Sequence, residues 1–171
     1  MKKLFVTISL ALISLGAFAQ KGEQNVGAHL LYGTDMEIFG VGVKYQNNLT
    51  DAIRLEGVFD YYPKSDGFSM FDVNVNGHYL FPITDKVTLY PLVGINYTHW
   101  KQSLFDGDDE DEWFYDDEED VSMNDGSIGL NIGGGVQYKL TDKIRIGAEL
   151  KYQTISGFNT PVVGFGVTYT L

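Results

Sequence analysis

Phe71-Asp72-Val73-Asn74-Val75-Asn76-Gly77-His78-Tyr79 alternates residue by residue between two chemistries. Phe71, Val73, Val75, Gly77 and Tyr79 fall on one side, and Phe81 continues that row; Asp72, Asn74, Asn76 and His78 fall on the other. Successive side chains of an extended chain point to opposite faces, so this period of two predicts a strand with one oily face and one polar face. A helix would scatter the same residues around its circumference. The pattern recurs in Ile144, Ile146, Ala148, Leu150 and Tyr152 against Arg145, Gly147, Glu149, Lys151 and Gln153. It recurs again in Val163, Phe165, Val167, Tyr169 and Leu171 against Gly164, Gly166, Thr168 and Thr170.

Working outward, turn residues divide the chain into eight such segments, near 24–33, 36–46, 53–62, 69–81, 87–100, 126–139, 144–155 and 161–171. Strands of soluble domains usually run to about 5–6 residues, whereas a tilted strand crossing a bilayer needs about 9–11. The lengths therefore predict membrane-spanning strands. Every segment carries a tyrosine near one end of its apolar face: Tyr32, Tyr45, Tyr61, Tyr79, Tyr97, Tyr138, Tyr152 and Tyr169. If the strands run alternately up and down, Tyr45, Tyr79, Tyr138 and Tyr169 share one rim and Tyr32, Tyr61, Tyr97 and Tyr152 the other. Tyrosine suits a bilayer boundary because its ring is apolar and its hydroxyl seeks water.

Three connections repeat one phrase: Leu49-Thr50-Asp51-Ala52, Ile83-Thr84-Asp85-Lys86 and Leu140-Thr141-Asp142-Lys143. Each follows an even-numbered segment, which puts all three at the same end as tight turns. The other connections, near 33–35, 63–68, 101–125 and 156–160, vary in length and composition.

Residues 1–19 read as a secretory leader. Lys2 and Lys3 precede an apolar stretch from Leu4 to Leu15, and Ala17-Phe18-Ala19 supplies an A-x-A site, with cleavage expected after Ala19. Nothing downstream has the length of apolar sequence that a spanning helix requires. The absence of cysteine excludes disulfides and thiolate metal sites. With 20 glycines, 11 tyrosines and 11 phenylalanines in 171 residues, the composition favours strands.

With the leader, the alternating strands, the repeated turns and the terminal Gly166-Val167-Thr168-Tyr169-Thr170-Leu171, the chain resembles the small outer-membrane β-barrel family, the OmpX-like and OmpA-barrel-like proteins often called porin-like. The resemblance covers residues 24–171. It implies an all-β, eight-stranded antiparallel up-and-down transmembrane barrel over 20–171, in the bacterial outer membrane, monomeric and in contact with outer-membrane lipid. It also implies that the last segment is read by the barrel-insertion machinery, although Leu171 stands where a terminal Phe is more usual.

Eight strands leave an interior that side chains fill. Lys44, Arg54, Glu56, Asp72, Arg145, Glu149 and Lys151 would meet there in low dielectric, where unpaired charge is costly, and are expected to form a charge network that fixes the barrel. The remaining distinctive feature is an acidic loop, about 101–125. Asp106, Asp108, Asp109, Glu110, Asp111, Glu112, Asp116, Asp117, Glu118, Glu119 and Asp120 stand there with no base among them. These eleven carboxylates account for the whole net charge of −11, since the other 12 acids balance 12 Lys and Arg. Such a block is expected to stay solvated outside the barrel. Clustered carboxylates also suit a loosely bound Ca²⁺ or Mg²⁺, although an EF-hand would require glycine where Asp111 stands. Trp113-Phe114-Tyr115 within it offers an apolar contact to a cationic surface or protein partner, and the same charge argues against nucleic acid.

No cofactor motif or catalytic constellation emerges. His29, His78 and His99 are the only histidines, and Ser103 follows His99 at four residues, not at the two-residue spacing of known lipid A deacylases. The expectation is a non-enzymatic outer-membrane protein serving envelope structure or surface interaction. The alternatives are a narrow porin for ions or small solutes, a lipid-modifying enzyme, and a soluble secreted eight-stranded barrel whose apolar face surrounds a ligand.

Overall fold

The computed structural model describes residues 22–35, 37–65, 68–103, 122–155 and 158–171. The expected leader and all eleven carboxylates from Asp106 to Asp120, with Trp113-Phe114-Tyr115 among them, lie outside the described residues.

The strands are β1 (Gln24–Gly33), β2 (Ile38–Asn48), β3 (Ile53–Ser65), β4 (Phe68–Tyr79), β5 (Phe81–Pro82), β6 (Val87–Ser103), β7 (Ser122–Lys139), β8 (Ile144–Ile155) and β9 (Phe158–Thr170). The two residues of β5 continue β4 beyond Leu80, so the wall has eight staves. Each stave pairs antiparallel with its sequence neighbours, β4 pairs with β6, and β1 pairs with β9 to close the ring. The protein is a closed eight-stranded up-and-down barrel. Closure leaves no strand edge with unpaired backbone groups, which is what permits a sheet to stand in hydrocarbon.

The distribution of side chains is inside-out. Glu56, Asp60, Asp72, Asn74 and Thr98 are 0% exposed, whereas Ile128, Phe39 and Leu30 are 76%, 74% and 64% exposed. A water-soluble barrel with its apolar face around a ligand would show the reverse. All eight boundary tyrosines belong to the outward face, six of them 40–45% exposed. At the end with the tight turns, the Lys143 ammonium donates to the Tyr169 hydroxyl at 3.2 Å and lies 5.3 Å from the centre of its ring. A cation and a phenol held together at the rim are an interfacial pairing.

The strands run further at the opposite end than alternation alone predicts. β6 and β7 pair through to Ser103 and Ser122, and β3 and β4 through to Ser65 and Phe68, past a register shift after Tyr62. Lys101-Gln102-Ser103 and Ser122-Met123-Asn124-Asp125 carry no apolar period, so only backbone pairing reveals them as strand.

The repeated turn phrase is one hydrogen-bonding device used three times. The Thr50 hydroxyl accepts from the Ala52 and Ile53 amides at 3.2 and 2.9 Å. Thr84 accepts from Lys86 and Val87 at 3.2 and 3.0 Å, and Thr141 from Lys143 and Ile144 at 3.2 and 3.0 Å. Each threonine amide in turn donates across the turn, to the carbonyls of Ile53, Val87 and Ile144. Threonine is needed because a short hydroxyl must reach two amides the turn leaves unpaired. Thr141→Val should therefore lower unfolding stability in lipid vesicles by about 1 kcal/mol, and Thr141→Ser should retain most of it, as read from urea titrations.

Candidate functional site

The interior is built by parity: one face of every stave points inward, and the glycines among those positions make room for the long polar side chains between them. The lower-middle cluster centres on Glu56. Its carboxylate accepts from the Gln46 amide at 2.7 Å and the Asn76 amide at 3.2 Å, and the Lys44 ammonium stands 3.5 Å away. Arg54 reaches across the lumen to donate to Gln137 on β7 at 2.8 Å, and donates also to Gln46 at 3.3 Å and to Nδ1 of His78 at 3.1 Å. The Tyr90 ring is stacked on His78 at 4.7 Å with the Arg54 guanidinium 4.8 Å from its centre, and its hydroxyl donates to Glu149 at 3.1 Å.

The upper cluster centres on Asp60. His29 Nε2 is 2.7 Å from one of its oxygens; the other accepts from Asn74 at 3.3 Å and lies 3.6 Å from the Lys151 ammonium. β8 is four staves from β3 in a ring of eight, so the Lys151–Asp60 contact spans the full diameter. Asp72 stands opposite Asp60 in the β3–β4 register and accepts from Asn74 and from Gln153 across the lumen. Asn131 links this level to the one below by donating to Asn74 at 2.8 Å and Asn76 at 3.0 Å.

Of the seven charges expected inside, only Lys44 and Glu56 pair with each other. Lys151 pairs with Asp60, and Arg145 turns to the rim, where it holds Glu23 at 2.9 Å and Asn25 at 3.0 Å. Amides serve Asp72, and a phenol serves Glu149. The residues missing from the expected network are Asp60, His29, His78 and Tyr90. Parity would have found Asp60, which continues the row Arg54, Glu56, Val58, but apolar Val58 interrupts it.

Two apolar clusters pack against this polar column. Leu80, Tyr90 and Leu92 pack together toward the tight turns, and Leu31, Ile38, Tyr62, Met70 and Val162 pack at the opposite mouth with Trp100 against them. Among the described residues, a cavity beside Gly147, Gly164 and Gly166 is about 20 Å³, room for roughly one water.

Glu56, His78 and Glu149 bring three metal-ligand atoms within 4.8 Å of one another. The tautomer opposes a metal there. Nδ1 of His78 accepts from Arg54, so Nε2 of the neutral ring carries the hydrogen and has no lone pair to give. Metal-bound histidines have the reverse arrangement, donating through their second nitrogen. His99 lies on the outer side of the wall, 4.9 Å from the Phe71 ring.

These cross-lumen contacts make a specific energetic statement. Lys151→Met alone strands Asp60 and Asp72 without a cation and should cost about 3–5 kcal/mol of unfolding free energy. The double variant Lys151→Met with Asp60→Asn should cost clearly less, measured by urea unfolding in vesicles.

The barrel's relatives agree with this architecture. No curated protein matches the chain in sequence. Among solved structures, the N-terminal barrel of OprF from Pseudomonas aeruginosa superposes with a TM-score of 0.65 at 18% identity, covering 88% of this chain and 98% of that one. The Neisserial surface protein NspA gives 0.65 at 14% identity over 87% and 96%. Ail, the attachment invasion locus protein of Yersinia pestis, gives 0.59 at 18% identity over 88% and 99%. These likenesses establish a shared fold. The family model for the outer membrane protein β-barrel domain matches residues 5–170, and the chain belongs to that family.

Proposed function

We propose that the protein is a non-enzymatic integral protein of the bacterial outer membrane, a closed barrel that holds surface segments for interaction and passes no solute. The observation carrying this reading is the filled lumen. Lys151 to Asp60, Arg54 to Gln137 and Gln153 to Asp72 cross it, so that side chains from opposite walls meet in its middle. An ion would have to displace several buried hydrogen bonds, each costly to leave unmade.

The segment 104–121 is the interaction surface in this reading. It joins the two longest strands, β6 and β7, of 17 and 18 residues, and contains all eleven carboxylates of the acidic block. Ail has been solved in complex with the heparin analogue sucrose octasulfate, a polyanion. The present segment has the opposite preference, because its charge repels sulfated sugars and attracts a cationic protein surface, with Ca²⁺ or Mg²⁺ as weaker ligands. Trp113-Phe114-Tyr115 would add apolar contact once the charges are neutralised.

Planar-bilayer recording tests the closed barrel: purified protein should show no steady conductance, and stepwise single-channel currents would establish the narrow porin instead. Isothermal titration with Ca²⁺ tests the segment. The full barrel should bind more ion than a variant with Asp116, Asp117, Glu118, Glu119 and Asp120 changed to amides, and equal binding would remove the cation role.

A further inference from the structure

The imidazole of His29 is engaged on one side only. Its Nε2 stands 2.7 Å from an Asp60 oxygen, whereas its Nδ1 has no hydrogen-bond partner among the described residues, although His29 is only 7% exposed. A buried polar atom left without a partner bears the full loss of its hydration. The same ring lines the cavity of about 20 Å³, whose space comes from bare backbone at Gly147 on β8 and at Gly164 and Gly166 on β9. A single water requires about 10–15 Å³ and two to four polar partners.

Those partners line the same cavity. Lys44 on β2, Glu149 on β8 and Thr168 on β9 all border it. An ionised carboxylate has about four acceptor sites, and the Tyr90 hydroxyl takes one of those on Glu149. The Lys44 ammonium has three hydrogens and meets Glu56 at 3.5 Å on one side. The Thr168 hydroxyl accepts from Gln137 at 3.4 Å and keeps its own hydrogen to donate.

Asp60 sets how the ring meets this space. In the neutral imidazole the hydrogen lies on Nε2, where the carboxylate accepts it, so Nδ1 presents a lone pair. A water there donates to Nδ1 and to Glu149 while accepting from Lys44 or Thr168. The charges select the same occupant. Lys44 repels a small cation and Glu149 a small anion, which leaves a neutral molecule of one heavy atom.

We propose that this cavity is the binding site of one internal water, held by His29 Nδ1, Glu149 and Lys44, which joins the Asp60 cluster to the Glu56 cluster. Asn131 bridges the two levels from β7 to β4, and the water bridges them on the side of β1 and β8. The inference rests on the closed lumen proposed above, since an open one would merge the cavity with bulk solvent. Gly164 gives a way to displace the water without touching its partners. A Cβ there would meet Leu31 Cδ2 at 3.2 Å, the end of a flexible side chain, and the Glu149 Cβ at 4.0 Å. Gly166 offers no such variant, because a Cβ would come 2.6 Å from the His29 Cβ.

The test is magnetisation transfer from water to the His29 ring and the Gly166 α-protons, followed by nuclear magnetic resonance on the barrel in lipid nanodiscs. Heat-dependent gel mobility confirms the fold in every sample. The unsubstituted protein should show transfer with the sign of a long-lived bound water, unchanged when NaCl is raised. Gly164→Ala should reduce it several-fold and move the nitrogen signal of His29 Nδ1 toward that of a ring nitrogen without a hydrogen bond. Absence of transfer in the folded unsubstituted barrel, or transfer that Gly164→Ala leaves intact, would overturn the site while the closed lumen stood. Loss of transfer on raising NaCl would replace the water with an ion. Transfer accompanied by stepwise conductance in planar bilayers would overturn the closed lumen, and the trapped water with it.

Discussion

The contact between Lys151 and Asp60 spans the barrel from wall to opposite wall, and much of the interior is organised by it. A closed sheet of eight strands fixes its circumference through backbone pairing, but not the shape of its cross-section. Cross-lumen side chains decide that shape. Asp60 takes an ammonium from β8, an imidazole from β1 and an amide from β4, so four staves are tied to one carboxylate. That carboxylate and its His29 partner need bare backbone at Gly42 on β2, where a Cβ would meet both, and at Gly166 on β9, where a Cβ would meet His29.

Burial in low dielectric would make so many charges a liability if each had to find an opposite charge. The described interior and its rim contain five carboxylates, Glu23, Glu56, Asp60, Asp72 and Glu149, against Lys44, Arg54, Arg145 and Lys151. Asparagine and glutamine resolve the mismatch. Asn74 and Gln153 satisfy Asp72, Gln46 and Asn76 satisfy Glu56, and Gln137 occupies an Arg54 donor. An amide supplies directional hydrogen bonds without adding a charge that needs its own counterion. The same network specifies register, because a slip of one residue would turn every member toward hydrocarbon.

The wall was legible in the sequence because the two sides of a membrane barrel differ in solvent, and a period of two is the direct imprint of that difference. Asp72 to His78 and Arg145 to Gln153 declare their faces without reference to any other strand. Partners inside were not legible, since Lys151 and Asp60 lie 91 positions apart and only closure in the observed order brings them together. The upper extensions of β6 and β7 escaped for a different reason. Beyond the outer tyrosines a strand need not present an oily face, so the periodic signal lapses while the backbone continues to pair.

Charge is divided between the barrel and its longest connection in a way that separates their responses to the surroundings. Without the eleven carboxylates of 106–120 the chain's acids and bases cancel, and the charges that hold the barrel are buried, where dissolved ions screen them little. The acidic block has no compensating base within it, and whatever part of it meets water interacts over roughly 8 Å at physiological ionic strength. A change in salt or in divalent cations therefore acts on the connection and leaves the wall unaltered. An interaction through 104–121, as proposed above, would then respond to salt and divalent cations while the contacts that hold the barrel do not.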